Sequence, residues 1–206
     1  MKYLKWFILA IIDLLFNAIC YLTNPFVLLF ADEVGNLPAI FKWWSNWDDH
    51  LDVSWMVYGH HVPKFAEYDF NRHYKYIDEW QAEKTIGEHR AYVILLDPNF
   101  TLWERFQRYV CRLTWIYRNC AYGFSYYVTG IDVNGADVDV ITDVRVSGNN
   151  QYYGRTKDAF CYYQMKRWTW GERKFILKLF FGWKFQRIKP TDRKHCMLAL
   201  FAWPFK

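Results

Sequence analysis

Six side chains between positions 48 and 61 are of types that do chemistry: Asp48, Asp49, His50, Asp52, His60 and His61. Carboxylates beside imidazoles bind metal ions or carry out acid–base catalysis. Their spacing matches no metal-ligand pattern, and Asp and His are ordinary in loops. A solvated loop is therefore the leading reading, ahead of a hydrolase built on Asp49, His60 or His61. No G-x-S-x-G, H-E-x-x-H, phosphate-loop or dinucleotide fingerprint accompanies them. Asp132, Asp137, Asp139 and Asp143 resemble a calcium loop only loosely and fit the exposed face of a strand better. Cys20, Cys111, Cys120, Cys161 and Cys196 are odd in number and lack C-x-x-C spacing. Cys111 and Cys120 read as members of one helix, too far apart to bridge. All five are expected to be buried thiols of a reducing compartment. No catalytic residue, metal or cofactor is expected, and the reading leans to a non-enzymatic role.

The remaining chemistry-bearing residues sit where they are costly. Lys2 and Lys5 precede an apolar stretch running to Ala31, interrupted by Asp13, Asn17 and the Thr23-Asn24-Pro25 break. Residues 6–22 alone are marginal against the ~20 apolar residues a bilayer span needs. The pattern resembles a signal peptide, but no small-residue cleavage site follows, so the segment is expected to stay. Asp13 and Asn17 lie four apart and share a helix face, with Asn24 on the same stripe. Polar groups in a membrane helix turn toward protein or water. Asp13, Asn17 and Trp6 therefore mark a membrane- or partner-binding face. The plainer alternative packs the helix on the soluble body with this stripe facing water. A spanning helix would put the N-terminus in the cytoplasm and the body outside. That conflicts with the cysteine reading, and an in-plane or re-entrant helix removes the conflict.

These residues must be positioned by the rest of the chain. At 206 residues, it fits one α+β domain over residues 32–206 behind a membrane-associating helix over 1–31. The expected fold is an N-terminal apolar helix, one further long amphipathic helix and a C-terminal antiparallel β-meander. Residues 32–82 read as irregular, with a short helix over 37–45. Trp43, Trp44 and Trp47 cluster there as an interfacial belt would, or as rings filling a core. Aromatic residues are 22% of the chain and include 12 Trp, which is many for one small core. Residues 91–96 read as a strand. Leu102, Trp103, Phe106, Val110, Leu113 and Ile116 or Tyr117 recur at helical spacing. Residues 124–129, 138–146 and 196–203 read as strands, and 159–170 with 174–185 as a hairpin turning at Gly171-Glu172. In that hairpin Phe175, Leu177, Leu179, Phe181, Trp183 and Phe185 form a core face. The opposite face carries Lys174, Lys178 and Lys184 with Ile176, Phe180 and Gly182. With Lys166 and Arg167 these lysines suit an anionic partner, either lipid headgroups or single-stranded nucleic acid. The formal charge of +5 is uneven: residues 155–206 carry 13 Lys+Arg against 3 Asp+Glu.

Three stretches resemble an uncharacterised family of small tailed-bacteriophage proteins. The first runs from Asn24-Pro25 to Gly35-Asn36-Leu37-Pro38 and on through Trp43-Trp44 to Leu51-Asp52. The second is Trp115 to Phe124, with Arg118, Asn119, Tyr122, Gly123 and Phe124 as its core, and Cys120 where the resemblance leads to a proline. The third is Gly182-Trp183-Lys184. Asn119 or Gly123 is expected to end the helix in a left-handed conformation, with Arg118 serving free carbonyls or the 48–52 loop. The resemblance implies an accessory protein of an infected bacterium and supplies no activity. The functional expectation is a membrane-associated phage accessory protein at the host inner membrane or its cytoplasmic face. Its partners would be membrane lipid and a host or phage protein, in host takeover, superinfection exclusion or anti-defence. The alternatives are a single-stranded nucleic-acid module, or a virion structural or ejected component; self-association is a further partner class.

Overall fold

The first glycine of the chain is Gly35, so Pro25 is the one strong helix breaker before it. A computed structural model describes residues 1–45, 51–52, 62–77, 92–118, 120–171 and 173–203. Asp48, Asp49, His50, His60, His61, Trp47 and Asn119 lie outside the described residues, as does the side chain of Lys174. The first helix, α1, spans Lys2–Val27 with Pro25 inside it, and a 3₁₀ turn at Leu28–Phe30 follows. The break expected at residues 23–25 is therefore absent. Pro25 has no N–H to give the Tyr21 carbonyl. Tyr117 Oη donates to that carbonyl instead, at 3.1 Å.

The described chain divides into two compact units, Met1–Leu15 with Ser125–Lys206, and Phe16–Phe124. Helix α1 contributes to both units.

In the Phe16–Phe124 unit, a 3₁₀ turn at Ala39–Phe41 stands where the short helix over 37–45 is expected, and a second 3₁₀ turn covers Lys64–Ala66. A short helix α2 (Phe70–His73) leads into β1 (Tyr74–Ile77), which pairs antiparallel with β2 (Tyr92–Leu95). Helix α3 spans Leu102–Arg118. Its start is a capping box: Glu104 N–H donates to Thr101 Oγ1 (3.2 Å), and Thr101 N–H to Glu104 Oε2 (2.8 Å). Cys111 lies within α3 but Cys120 lies beyond its end, so the two do not share a helix. Left-handed backbone follows at Ala121 (φ 57°), not at Gly123, which is helical.

Helix α4 covers Tyr122–Tyr127. The aromatic run had argued for a strand over 124–129; tertiary contacts override that propensity. In the other unit, β3 (Ile131–Asn134) pairs with β8 (Arg193–Cys196). A five-stranded antiparallel sheet has the order β4-β5-β6-β7-β9: Asp139–Val146, Asn149–Arg155, Phe160–Trp170, Arg173–Trp183 and Leu198–Trp203. The expected strand over 196–203 is thus two strands. The core face assigned in β7 is incomplete, because Phe180 on the lysine-bearing face is also buried, against Tyr163 at 5.3 Å. Gly182 sits at φ 98°, and a Cβ there would lie 2.0 Å from the Phe160 carbonyl oxygen. Only glycine fits that crossing.

Candidate functional site

Helix α1 is turned inside out relative to a soluble amphipathic helix. Asp13, Cys20 and Asn24 are buried, whereas Phe7, Ile8, Ile11, Ile12, Leu14, Leu15, Ile19, Leu22 and Phe26 are exposed. Leu22 keeps 76% of its surface open and Asp13 only 7%. Water would favour the opposite arrangement.

The inward stripe finds hydrogen-bond partners within the protein. Ser125 Oγ donates to Asp13 Oδ1 at 2.7 Å, with Thr129 Oγ1 at 3.5 Å. Burial holds the Asp13 carboxyl above its usual range, while these two hydroxyls and Lys184 pull the other way. Around this seam Trp6 Nε1 donates to the Ala199 carbonyl (3.3 Å), and Trp6 packs edge-on against Phe160 and Phe181. In the Phe16–Phe124 unit, Asn17 Nδ2 donates to the Cys120 carbonyl (3.1 Å) and Asn24 Nδ2 to Cys120 Sγ (3.4 Å). Asn24 Oδ1 has no partner among the described residues. A hydrogen bond with Cys20, and secondarily with Asn24, lowers the Cys120 thiol, against the effect of burial. The polar stripe therefore faces the chain and not water.

Two of the motif stretches meet in this unit. Gly123 N–H donates to the Ser45 carbonyl (2.9 Å) and Phe124 N–H to the Trp43 carbonyl (3.0 Å). A Cβ on Gly123 would stand 2.1 Å from the Lys42 carbonyl oxygen. Phe124 stacks on Phe16 at 4.1 Å, and Trp43 meets both rings edge-on. Trp44 Nε1 donates to Thr23 Oγ1 (2.8 Å), so Trp44 is committed to packing while Trp43 stays partly open. Tyr122 is half-buried beside this contact. Arg118, expected to serve free carbonyls or the 48–52 loop, places its guanidinium over the Trp115 ring, 5.4 Å away.

Arg112 takes Asp52 instead, a pairing the sequence did not single out. Both are buried: Arg112 Nε donates to Asp52 Oδ1 at 2.7 Å and Nη2 to Oδ2. Tyr74 Oη stands 3.3 Å from the same carboxylate and receives Arg108 Nη1 at 3.0 Å. The matching signal was an Arg on the inward face of α3, hidden because all four Arg of that helix looked like a solvated flank. His73 is wholly buried, its Nδ1 donating to the Asp97 carbonyl (2.9 Å), its Nε2 3.3 Å from Glu104 Oε1 and its ring stacked on Phe100 at 3.8 Å. His195 has Nε2 donating to the Tyr126 carbonyl and Nδ1 against Asp132, each at 2.7 Å. Each of these histidines has both ring nitrogens engaged, and Asp52 is held by an arginine. No group of three His, Cys, Asp or Glu gathers as a metal site among the described residues.

The basic strand residues are not gathered on one face. Register pairs Met165 with Lys178 and Lys166 with Leu177, which places Lys166 and Lys178 on opposite faces of the sheet. Lys178 and Lys184 sit over the Phe201 and Phe180 rings, at 5.8 and 6.0 Å. Lys166 and Arg167 are exposed beside Trp168.

The chain belongs to a protein family described as a family of unknown function (DUF7338), which it matches over residues 1–206. No curated protein and no solved structure matches it.

Proposed function

We propose that this member of a family without an assigned activity is a non-enzymatic, membrane-associated accessory protein, held to lipid by the outer face of α1. One observation carries the reading: the helix turns its polar residues inward onto hydrogen-bond partners in the protein and its apolar residues outward. Such a face is unfavourable in water and favourable in hydrocarbon. The resemblance of its motif stretches to small tailed-bacteriophage proteins supports a role at the inner membrane of an infected bacterium, or on its cytoplasmic side. There it would bind a host or phage protein in host takeover, superinfection exclusion or anti-defence.

The test replaces Phe7, Ile11, Leu15 and Leu22 together by Ser and fractionates expressing cells. The inward seam is untouched, so the variant keeps its fold and moves to the soluble fraction while the wild type stays with membranes. A wild-type chain that is soluble and monomeric without detergent overturns the reading. Lys166 and Arg167, exposed beside a Trp168 ring stacked on Phe175 at 5.7 Å, favour single-stranded nucleic acid as the second reading. Salt-sensitive strand binding by the soluble chain supports it, and absence of binding at low salt removes it.

A further inference from the structure

The exposed positions of α1 and the turn after it, from residue 6 to residue 30, are Phe7, Ile8, Ile11, Ile12, Leu14, Leu15, Ala18, Ile19, Tyr21, Leu22, Phe26, Leu29 and Phe30. None is charged, and the only polar group is the Tyr21 hydroxyl, which donates to the Tyr117 carbonyl at 3.4 Å. A protein partner meets a surface with a polar rim and hydrogen bonds of its own; lipid chains require neither. Charge begins only at the ends, with Lys2 and Lys5 before and Asp32 and Glu33 after.

A helix of 26 residues is about 39 Å long and exceeds the ~30 Å hydrocarbon core. Its opposite face is occupied at every turn. In one unit Lys2 Nζ donates to the Thr156 carbonyl, Trp6 to the Ala199 carbonyl, and Asp13 accepts from Ser125. In the other, Asn17 and Asn24 bond Cys120, Thr23 bonds Trp44, and the Pro25 carbonyl accepts from Tyr109 Oη at 2.8 Å. A spanning orientation would carry these loops, turns and polar side chains into hydrocarbon, where irregular backbone facing lipid is not tolerated.

Helix α3 runs antiparallel beside the second half of α1, with Tyr117 stacked on Tyr21 and Tyr109 bonded to Pro25. Its first turns expose Leu102, Trp103 and Phe106, with the Trp103 and Phe106 rings stacked 5.3 Å apart. Leu102 retains 86% of its surface. The α3 stripe therefore continues past the Leu28–Phe30 turn, where Leu29 and Phe30 are open.

We propose that α1 lies in the plane of a single phospholipid leaflet instead of crossing the bilayer, and that Leu102, Trp103 and Phe106 of α3 extend the same lipid-facing surface. This rests on the membrane reading above and specifies its geometry. The test has two arms on the full chain. In the first, a tag ahead of Met1 and a Ser147→Cys in the exposed β4–β5 turn are probed with protease and a membrane-impermeant maleimide, in intact and lysed spheroplasts. In-plane binding puts both on the same side; membrane-bound protein with the two on opposite sides overturns the in-plane orientation. In the second, the purified protein is floated with phosphatidylcholine–phosphatidylglycerol vesicles, and Leu102→Ser/Trp103→Ser/Phe106→Ser weakens vesicle binding about tenfold or more. Unchanged affinity with an intact far-ultraviolet spectrum overturns the α3 contribution. A wild-type chain that ignores vesicles, or buries α1 in a stable lipid-free dimer, overturns the membrane reading itself.

Discussion

At the scale of single residues, the strongest demands come from charges taken out of water. Removing one partner of a buried pair leaves the other uncompensated. Arg112→Met is expected to lower unfolding free energy by about 3–5 kcal/mol, measured by denaturant titration. The doubly apolar variant Arg112→Met/Asp52→Leu should lose less than that single change. Asp13 makes a different prediction. Burial raises its carboxyl above the unfolded value, so the folded state holds the proton more tightly than the unfolded chain. Its contribution is fully present below the ordinary Asp range and is lost as pH rises through the raised value. Asp13→Asn keeps the acceptor for Ser125 without the charge. The stability difference, variant minus wild type, should therefore grow as pH rises through that window and then level off. Among the thiols, burial pushes Cys111 and Cys161 up to about 12 and Cys196 up to about 11, whereas Cys120 is lowered. Alkylation of the folded protein should reach Cys120 before those three, as peptide mapping would show.

At the scale of elements, the α3–α4 corner approaches the segment over residues 42–45 closely at Gly123. A methyl group on Gly123 meets the Lys42 carbonyl oxygen, a backbone atom that cannot swing aside. Gly123→Ala should cost about 1–3 kcal/mol and lower the melting temperature without altering helix content. The same corner explains two departures from local expectation. Aromatic α4 is helical because its first amides are spent on Ser45 and Trp43, and α3 stops where Ala121 adopts a positive φ. Neither partner lies nearby in sequence, so no local pattern announces them. Strand β5 was unannounced for a related reason. Asn149-Asn150-Gln151 are poor strand formers, and pairing on both sides, to β4 and β6, imposes the conformation.

At the scale of the whole molecule, α1 is both an outer surface and a structural element. Trp6, Leu9 and Ala10 belong to the sheet-side core, and Phe16 and Cys20 to the cluster with Cys120 and Phe124. Deleting residues 1–30 to test membrane attachment should therefore unfold the chain, seen as loss of cooperative melting and aggregation. Surface substitutions on α1 should spare it. The unit with the five-stranded sheet includes the first fifteen residues of the chain.

Composition and period alone determined the apolar helix at the start, the amphipathic α3 and the antiparallel C-terminal meander, because burial pattern and turn residues act locally. They also placed Asp13, Asn17 and Asn24 on one stripe. Which way that stripe points was decided only in three dimensions, since a hydroxyl at Ser125 and a carbonyl and thiol at Cys120 must arrive from over ninety residues away to receive it. The same holds for Asp52, whose acidic loop reads as a solvated surface until Arg112 closes on it. Hydrophobic periodicity is a property of neighbours along the chain; the satisfaction of a buried polar group depends on partners that only the fold brings within hydrogen-bonding distance.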